Sequence, residues 1–338
     1  MATIKDIAKI AGVSVTTVSR ALNGYSDVSE KTRSRVEQVA KELKYSPNAV
    51  ARTLVMNKSK TIGLLVSDLN RAGAKDMFTY EVMCGINDSV SDEDYDLILF
   101  STNHDKQQVK TYTQLCQERQ VEGVIMQGVR MNDTYLTEIM DSQIPCVLID
   151  VELEGDSVGY VSTDNVFGAQ MAVKHLVNLG HKKIGFINGH DQALVSKKRR
   201  EGYEKELTSA GITIDESLIA NGEFNELQAE IVARDILTKH QDITAFFCAS
   251  DLMALGAMRA IQQKGLRIPE DISIVGFDDI TLAQYTSPPL TTVSQDKYQM
   301  GYVAAKLLIG MLTNSDQARK TILDNQLIKR GSTAPVKR

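Results

Sequence analysis

The chain has 338 residues, 43% of them hydrophobic and 24% charged, with a formal net charge of -5. That length exceeds one ordinary domain, the mix is that of a water-soluble globular protein, and no apolar run reaches the ~18 residues of a membrane-spanning helix. Four scattered cysteines, Cys84, Cys116, Cys146 and Cys248, form no C-x-x-C pair, so neither a metal nor another cofactor is expected.

The opening MATIKD runs straight into an amphipathic pattern, not into the basic and then apolar regions of a signal peptide. With unpaired thiols, this leads to the expectation of a cytoplasmic protein. Charge is divided unevenly: residues 1–58 hold ten Lys/Arg against five Asp/Glu, a net of +5, and the remainder a net of -10. A basic head on an acidic body points the head at a polyanion.

In the head, Thr3 with Asp6 reads as an N-cap followed by a first-turn acid, and Ile4, Ile7, Ala8 and Ala11 keep one apolar face. Gly12 ends this helix, and Val13 plugs the small core. Ser14 caps a second helix in which Val15, Val18 and Leu22 recur at helical spacing, stopped by Asn23-Gly24. Ser29 caps a third, running to about Leu43. Three short helices with a glycine turn between the first two form a helix-turn-helix pattern.

Along that stretch, TIKDIAKIAGVSVTTVSRALNG and VSEKTRSRVEQVAKELKYSPNAVARTL resemble the headpiece of the lactose/galactose repressor (LacI/GalR) family. The resemblance implies a helix-turn-helix headpiece over residues 1–46 whose second helix enters the DNA major groove. Val15, Thr16 and Arg20 then stand where base edges are read, Arg20 toward guanine acceptors, while Ser14, Thr17, Ser19 and Asn23 hold phosphates. Residues 47–58 form a hinge segment too short for a stable isolated helix. By the resemblance, Asn48, Ala51 and Leu54 meet DNA there, with Leu54 wedging between base pairs in the minor groove.

From residue 59 to 338, β-rich runs (TIGLLV, YDLILFS, VEGVIMQG, IPCVLID, then KKIGFING, LIANGEF, ITAFFCAS, ISIVGFDD) alternate with helical stretches. Such alternation implies an α/β fold of two doubly wound parallel-sheet subdomains. STDNVFGAQMAVKHLVNLGHKKIGFING, SDLMALGAMRAIQQKGLRIPEDISIVGFDD and PPLTTVSQDKYQMG resemble the family's periplasmic-binding-protein-like core, which implies a ligand cleft between two lobes. Carried over by position, Arg199 matches the effector-binding arginine, Asp278 a carboxylate accepting from ligand hydroxyls, and Phe224 an aromatic packing on the ligand. Gln127, Asp150, Ser250 and Gln295 match further polar positions of that pocket; Ser250 stands where the lactose repressor has asparagine. Plainer roles stay open: Asp278 as a cap, Phe224 as core, Arg199 and Arg200 as a solvated face. Between Asp68 and Gly85 the chain departs from the family, with a connection that reads as a longer loop containing Arg71 and Lys75.

The sequence carries no G-x-G-x-x-G, P-loop, G-x-S-x-G or H-E-x-x-H, so an enzyme is not expected. A solute-binding protein would have no use for the head. The expectation is a homodimeric repressor of carbohydrate-utilisation genes, bound to double-stranded operator DNA and released by a sugar inducer. A nucleobase or nucleoside effector, or a protein corepressor, is the alternative. The phosphocarrier-protein partner of the family's global catabolite regulator is required by no feature here. No leucine heptad tail follows NQLIKRGSTAPVKR, which favours a dimer over a tetramer.

Overall fold

The computed structural model describes residues 2–45, 58–67, 77–102, 107, 109–313 and 318–337. The chain divides into two compact units, Met1–Lys60 and Thr61–Arg338.

The first unit contains three helices, α1 (Ile4–Ala11), α2 (Val15–Leu22) and α3 (Glu30–Glu42). Each begins where a side chain satisfies an orphan backbone donor. Thr3 and Asp6 form a reciprocal capping box, Ser14 accepts from Thr17 N at 3.0 Å, and Ser29 accepts from Thr32 N at 3.4 Å. Gly12 adopts φ +64°, a conformation costly for any side chain, and lets the chain turn into α2. Ile7, Ala8, Ala11, Val18, Ala21, Val36, Val39 and Ala40 make the core, with Val13, Leu22 and Leu43 packed against it.

The second unit holds two six-stranded sheets. The first runs β11-β5-β4-β3-β1-β2, all neighbours parallel, from β1 (Thr61–Ser67), β2 (Asp96–Thr102), β3 (Gly123–Gln127), β4 (Cys146–Ile149), β5 (Val158–Thr163) and β11 (Lys320–Leu323). The second repeats the plan as β12-β10-β9-β8-β6-β7, from β6 (Ile184–Asn188), β7 (Ile219–Asn221), β8 (Ala245–Cys248), β9 (Ser273–Asp278), β10 (Thr291–Ser294) and β12 (Gln326–Ile328). There only β12 is antiparallel to its neighbour. β5, β10, β11 and β12 go beyond the eight runs read from the sequence. β11 and β12 are short and half-exposed with mixed polarity, so neither alternation nor a continuous apolar run marks them.

Helices cover both faces of each sheet. In the first lobe, α4 (Phe78–Asp92) and α11 (Lys297–Leu312) pack on one face, and α5 (Tyr112–Arg119) and α6 (Thr134–Asp141) on the other. The second lobe carries α7 (Asn165–Asn178), α8 (Leu194–Ser209), α9 (Glu226–Lys239) and α10 (Asp251–Gln263). The connection read as a loop up to Gly85 is corrected here: the chain is helical from Phe78, because Val82, Ile86 and Val90 present a buried stripe to α11. Arg71 and Lys75 lie outside the described residues. α4 and α11 cross closely. A Cβ on Gly85 would sit 2.0 Å from Tyr298 O, and one on Gly301 2.0 Å from Val82 O.

The chain passes between the lobes three times: from β5 to α7, from β10 to α11, and from β11 to β12. Lobe one is therefore built from two stretches far apart in sequence, as is lobe two. Among the described residues, no helix is long and apolar enough to cross a membrane.

Candidate functional site

On the head, α2 presents Ser14, Val15, Thr16 and Arg20 to solvent, whereas Thr17, Ser19 and Asn23 are half-buried. Ser14 and Thr17 share a hydroxyl–hydroxyl hydrogen bond of 2.8 Å, and Asn23 Nδ2 donates to Ser19 Oγ at 3.4 Å. The residues read as base contacts, Val15, Thr16 and Arg20, are all exposed, as is Ser14. Those read as phosphate contacts are tied to the helix ends. Asn48, Ala51 and Leu54 lie outside the described residues.

In the body, a cavity of about 220 Å³ opens between the lobes, at the carboxyl ends of the strands, where ligands of open α/β sheets bind. Lobe one supplies Gln127 from the end of β3, Asp150 just past β4, and Thr79 from the first turn of α4. Lobe two supplies Arg199 on α8, Phe224 past β7, Ser250 at the start of α10 and Asp278 at the end of β9. Six of the seven residues read as effector contacts line this one cavity. The seventh, Gln295, stands behind it.

Arg199 is 3% exposed, and its placement is over-determined. Its Nε donates to Asn165 Oδ1 at 2.8 Å, its Nη1 donates to Ala249 O, and the Phe277 ring lies 3.8 Å below the guanidinium. Asp278 Oδ1 is 3.5 Å from Nη1. The same oxygen accepts from Gln295 Nε2 at 2.6 Å, and Gln295 Oε1 accepts from Thr163 Oγ1 at 2.7 Å. Gln295 thus joins the cleft carboxylate to the last residue of β5, across two of the three interlobe passages. Lys297 adds a second hold, its buried ammonium donating to the carbonyls of Asp278 and Asp279 at 2.7 and 3.1 Å.

Three lining residues are in the left-handed region: Asp150 at φ +62°, Phe224 at φ +50° and Asp278 at φ +109°. Such conformations cost on the order of 1–3 kcal/mol each in residues other than glycine, and they cluster where a side chain must be aimed. Phe224 is seated by Gly189, where a Cβ would fall 2.1 Å from its ring, and His190 meets it edge-on at 5.5 Å. Withdrawal from water raises the Asp150 carboxyl above its ordinary value, opposed by the Arg199 charge and the Ser162 hydroxyl, which donates at 2.8 Å. Gln127 is 4% exposed, and its Oε1 has no hydrogen-bond partner among the described residues. A buried acceptor in this condition calls for a donor from a ligand or water.

Ser250 is the N-cap of α10, its hydroxyl accepting from Met253 N at 3.2 Å, so its O–H and one lone pair remain to meet a ligand. Asp251 was not singled out from the sequence. It is fully buried, accepts from Ile280 N at 2.8 Å and Thr292 Oγ1 at 2.5 Å, and so fixes the turn carrying Asp278. Burial and the neighbouring Asp278 charge push its carboxyl well up. His190, Thr79 and Phe78 also line the cavity without having been read from the sequence. His190 alone had a signal, two residues past a strand in KKIGFING. His175 and His181 pack instead against the C-terminal segment, bonding Thr333 and Ala334.

Residues 3–48 match the family of bacterial regulatory proteins, lacI family, and residues 173–333 match the periplasmic binding protein-like domain. Over 322 residues the chain is 38% identical to the HTH-type transcriptional repressor PurR of Vibrio atlanticus, covering 95% of each. It is 37% identical over 326 residues to the ribose operon repressor of Haemophilus influenzae, covering 96% of each. Its fold is similar to that of a lac repressor dimer bound to operator and the anti-inducer ONPF, with a TM-score of 0.84, 30% identity, and coverage of 98% of this chain and 99% of that one. A capped helix-turn-helix head and a two-lobed cleft, matched along nearly the whole length of such relatives, mean that the chain belongs to the lacI family of bacterial regulatory proteins, as a ligand-responsive transcriptional repressor.

Proposed function

We propose that this protein is a cytoplasmic, homodimeric repressor that is released from its operator by a small neutral sugar, which it binds without chemical change. The carrying observation is the pairing of Arg199 with Asp278 in the lining of a cavity of about 220 Å³, which Gln127 also lines with an Oε1 that has no partner among the described residues. A polyhydroxylated ligand uses all three, because each hydroxyl both donates and accepts. Phe224 offers an apolar ring beside them. The ribose operon repressor among its relatives supports the same reading.

The link through Gln295 supplies a route to the DNA. A ligand hydroxyl that bonds Asp278 biases the Gln295–Thr163 contact at the interlobe passages, and so biases lobe closure. Operator and inducer then oppose each other through one shared coupling free energy. Dimerisation fits the exposed apolar side chains Leu227 and Ile231 on α9, 63% and 56% accessible. Two heads related by a twofold axis would take half-sites about one helical turn apart, and the lac repressor of similar fold is likewise a dimer on operator.

A thermal-shift screen of the purified protein against monosaccharides, disaccharides, their phosphates and nucleobases tests this reading, since a ligand of the native state raises the melting temperature by mass action. A neutral monosaccharide hit that weakens operator binding is expected. A nucleobase hit, or a hit that strengthens operator binding, would overturn the assignment.

A further inference from the structure

Arg20 stands near the end of α2 with its guanidinium already held on two sides. Its Nη2 lies 2.7 Å from Asp27 Oδ2 and its Nε 3.1 Å from Asp27 Oδ1, while the Tyr25 ring covers one face at 4.9 Å from the centroid. The turn that carries Asp27 is itself tied down. Tyr25 N donates to Arg20 O at 3.1 Å, and Arg33 Nη2 donates to Tyr25 O at 2.8 Å.

The pairing is side-on: Asp27 occupies the edge formed by Nε and Nη2. A guanidinium has a second, end-on edge formed by its two terminal nitrogens, and this is the fork that meets guanine O6 and N7 bidentately. Side-on capture leaves that fork unoccupied by Asp27 and removes most of the rotational freedom that an exposed arginine loses on binding. We propose that Asp27 is a positioning residue for base recognition, holding Arg20 with its end-on fork ready for a guanine. The inference rests on the reading of Arg20 as a base contact and adds a specificity role for a residue outside α2.

The proposal has a sign opposite to simple electrostatics. A carboxylate on a DNA-facing surface repels phosphate, so removing its charge should by itself tighten binding to every duplex. If Asp27 positions Arg20, Asp27→Asn in the full chain instead weakens binding to a duplex selected by the wild-type protein from random sequence. The loss should be about two- to fivefold, the range of an exposed ion pair, while affinity for a shuffled duplex holds or rises. In an Arg20→Ala background, Asp27→Asn should no longer lower the ratio of the two affinities. Equal tightening on both duplexes, with Arg20→Ala still relaxing base preference, would overturn the role of Asp27 alone. Unchanged base preference in Arg20→Ala would overturn the reading of Arg20 on which it stands.

Discussion

Lys198 on α8 of the second lobe and Glu152, just past β4 of the first, form an ion pair across the cleft with Nζ 2.5 Å from Oε1. Met131 N donates to Gln192 O at 2.8 Å, another bond from lobe to lobe. Val151 and Val195, near neighbours of the pair, line the cavity. The ion pair holds the two lobes together, the same approach that a bound effector favours in the proposed mechanism. Lys198→Met should therefore weaken effector binding by up to about fivefold, an effect that fades at high salt. Titration calorimetry at two ionic strengths reads this, and effector affinity equal to wild type in low salt would exclude a latch.

Asp278→Asn keeps the shape of the cleft and removes the charge that faces Arg199 at 3.5 Å. Hydrogen bonds to charged groups contribute about 1.5–3 kcal/mol, so effector affinity should drop at least about tenfold. Ligand-free operator affinity should hold within about twofold, since the change is confined to the cleft. Gln295→Leu should produce a smaller loss of the same kind, because Gln295 acts through Asp278. Operator titrations with and without effector separate the two, and a normal response in Asp278→Asn would move the ligand elsewhere.

The crossing of α4 and α11 leaves no room at Gly85, whose added Cβ would sit 2.0 Å from a backbone carbonyl. Gly85→Ala should destabilise the body by about 1–3 kcal/mol as the helices are forced apart. Urea unfolding followed by circular dichroism measures this. A stability equal to wild type would mean that the helices can slide freely at this contact.

Burial holds the His181 imidazole below its ordinary value of 6.5, with only the Ala334 carbonyl opposing; His175 is lowered for the same first reason. The unfolded chain therefore takes up protons that the folded chain refuses. Stability is full above about pH 6.5 and declines as the pH falls below it. His181→Gln should flatten that decline whatever its effect at neutral pH. Melting temperatures recorded between about pH 7.5 and 5.5 test it, and an unchanged slope in the variant would remove His181 as a cause.

The three head helices were legible because Thr3, Ser14, Gly12 and Ser29 act on backbone groups a few residues away. The body's alternation of strand and helix was legible for eight buried runs and failed for β5, β10, β11 and β12, of which β11 and β12 pair with strands far away in sequence. Arg199 and Asp278 were found through resemblance, which also placed Gln295 in the pocket. Only the long-range meeting of the β9 and β10 ends reveals that Gln295 supports Asp278 from behind. Asp251 and Thr79 were invisible for the same reason: nothing local distinguishes them from ordinary helix-start residues.

The triple passage of the chain between the lobes has a consequence for synthesis on the ribosome. The first lobe completes one face only when α11 arrives, and its outer edge only when β11 arrives, both after most of the second lobe has been made. Residues 61–163 must therefore emerge with one apolar sheet face covered by α4 but not yet by α11, and wait while the chain grows at about 5–20 residues per second. Until α11 arrives, the nascent first lobe offers apolar surface of the kind that favours aggregation or chaperone binding.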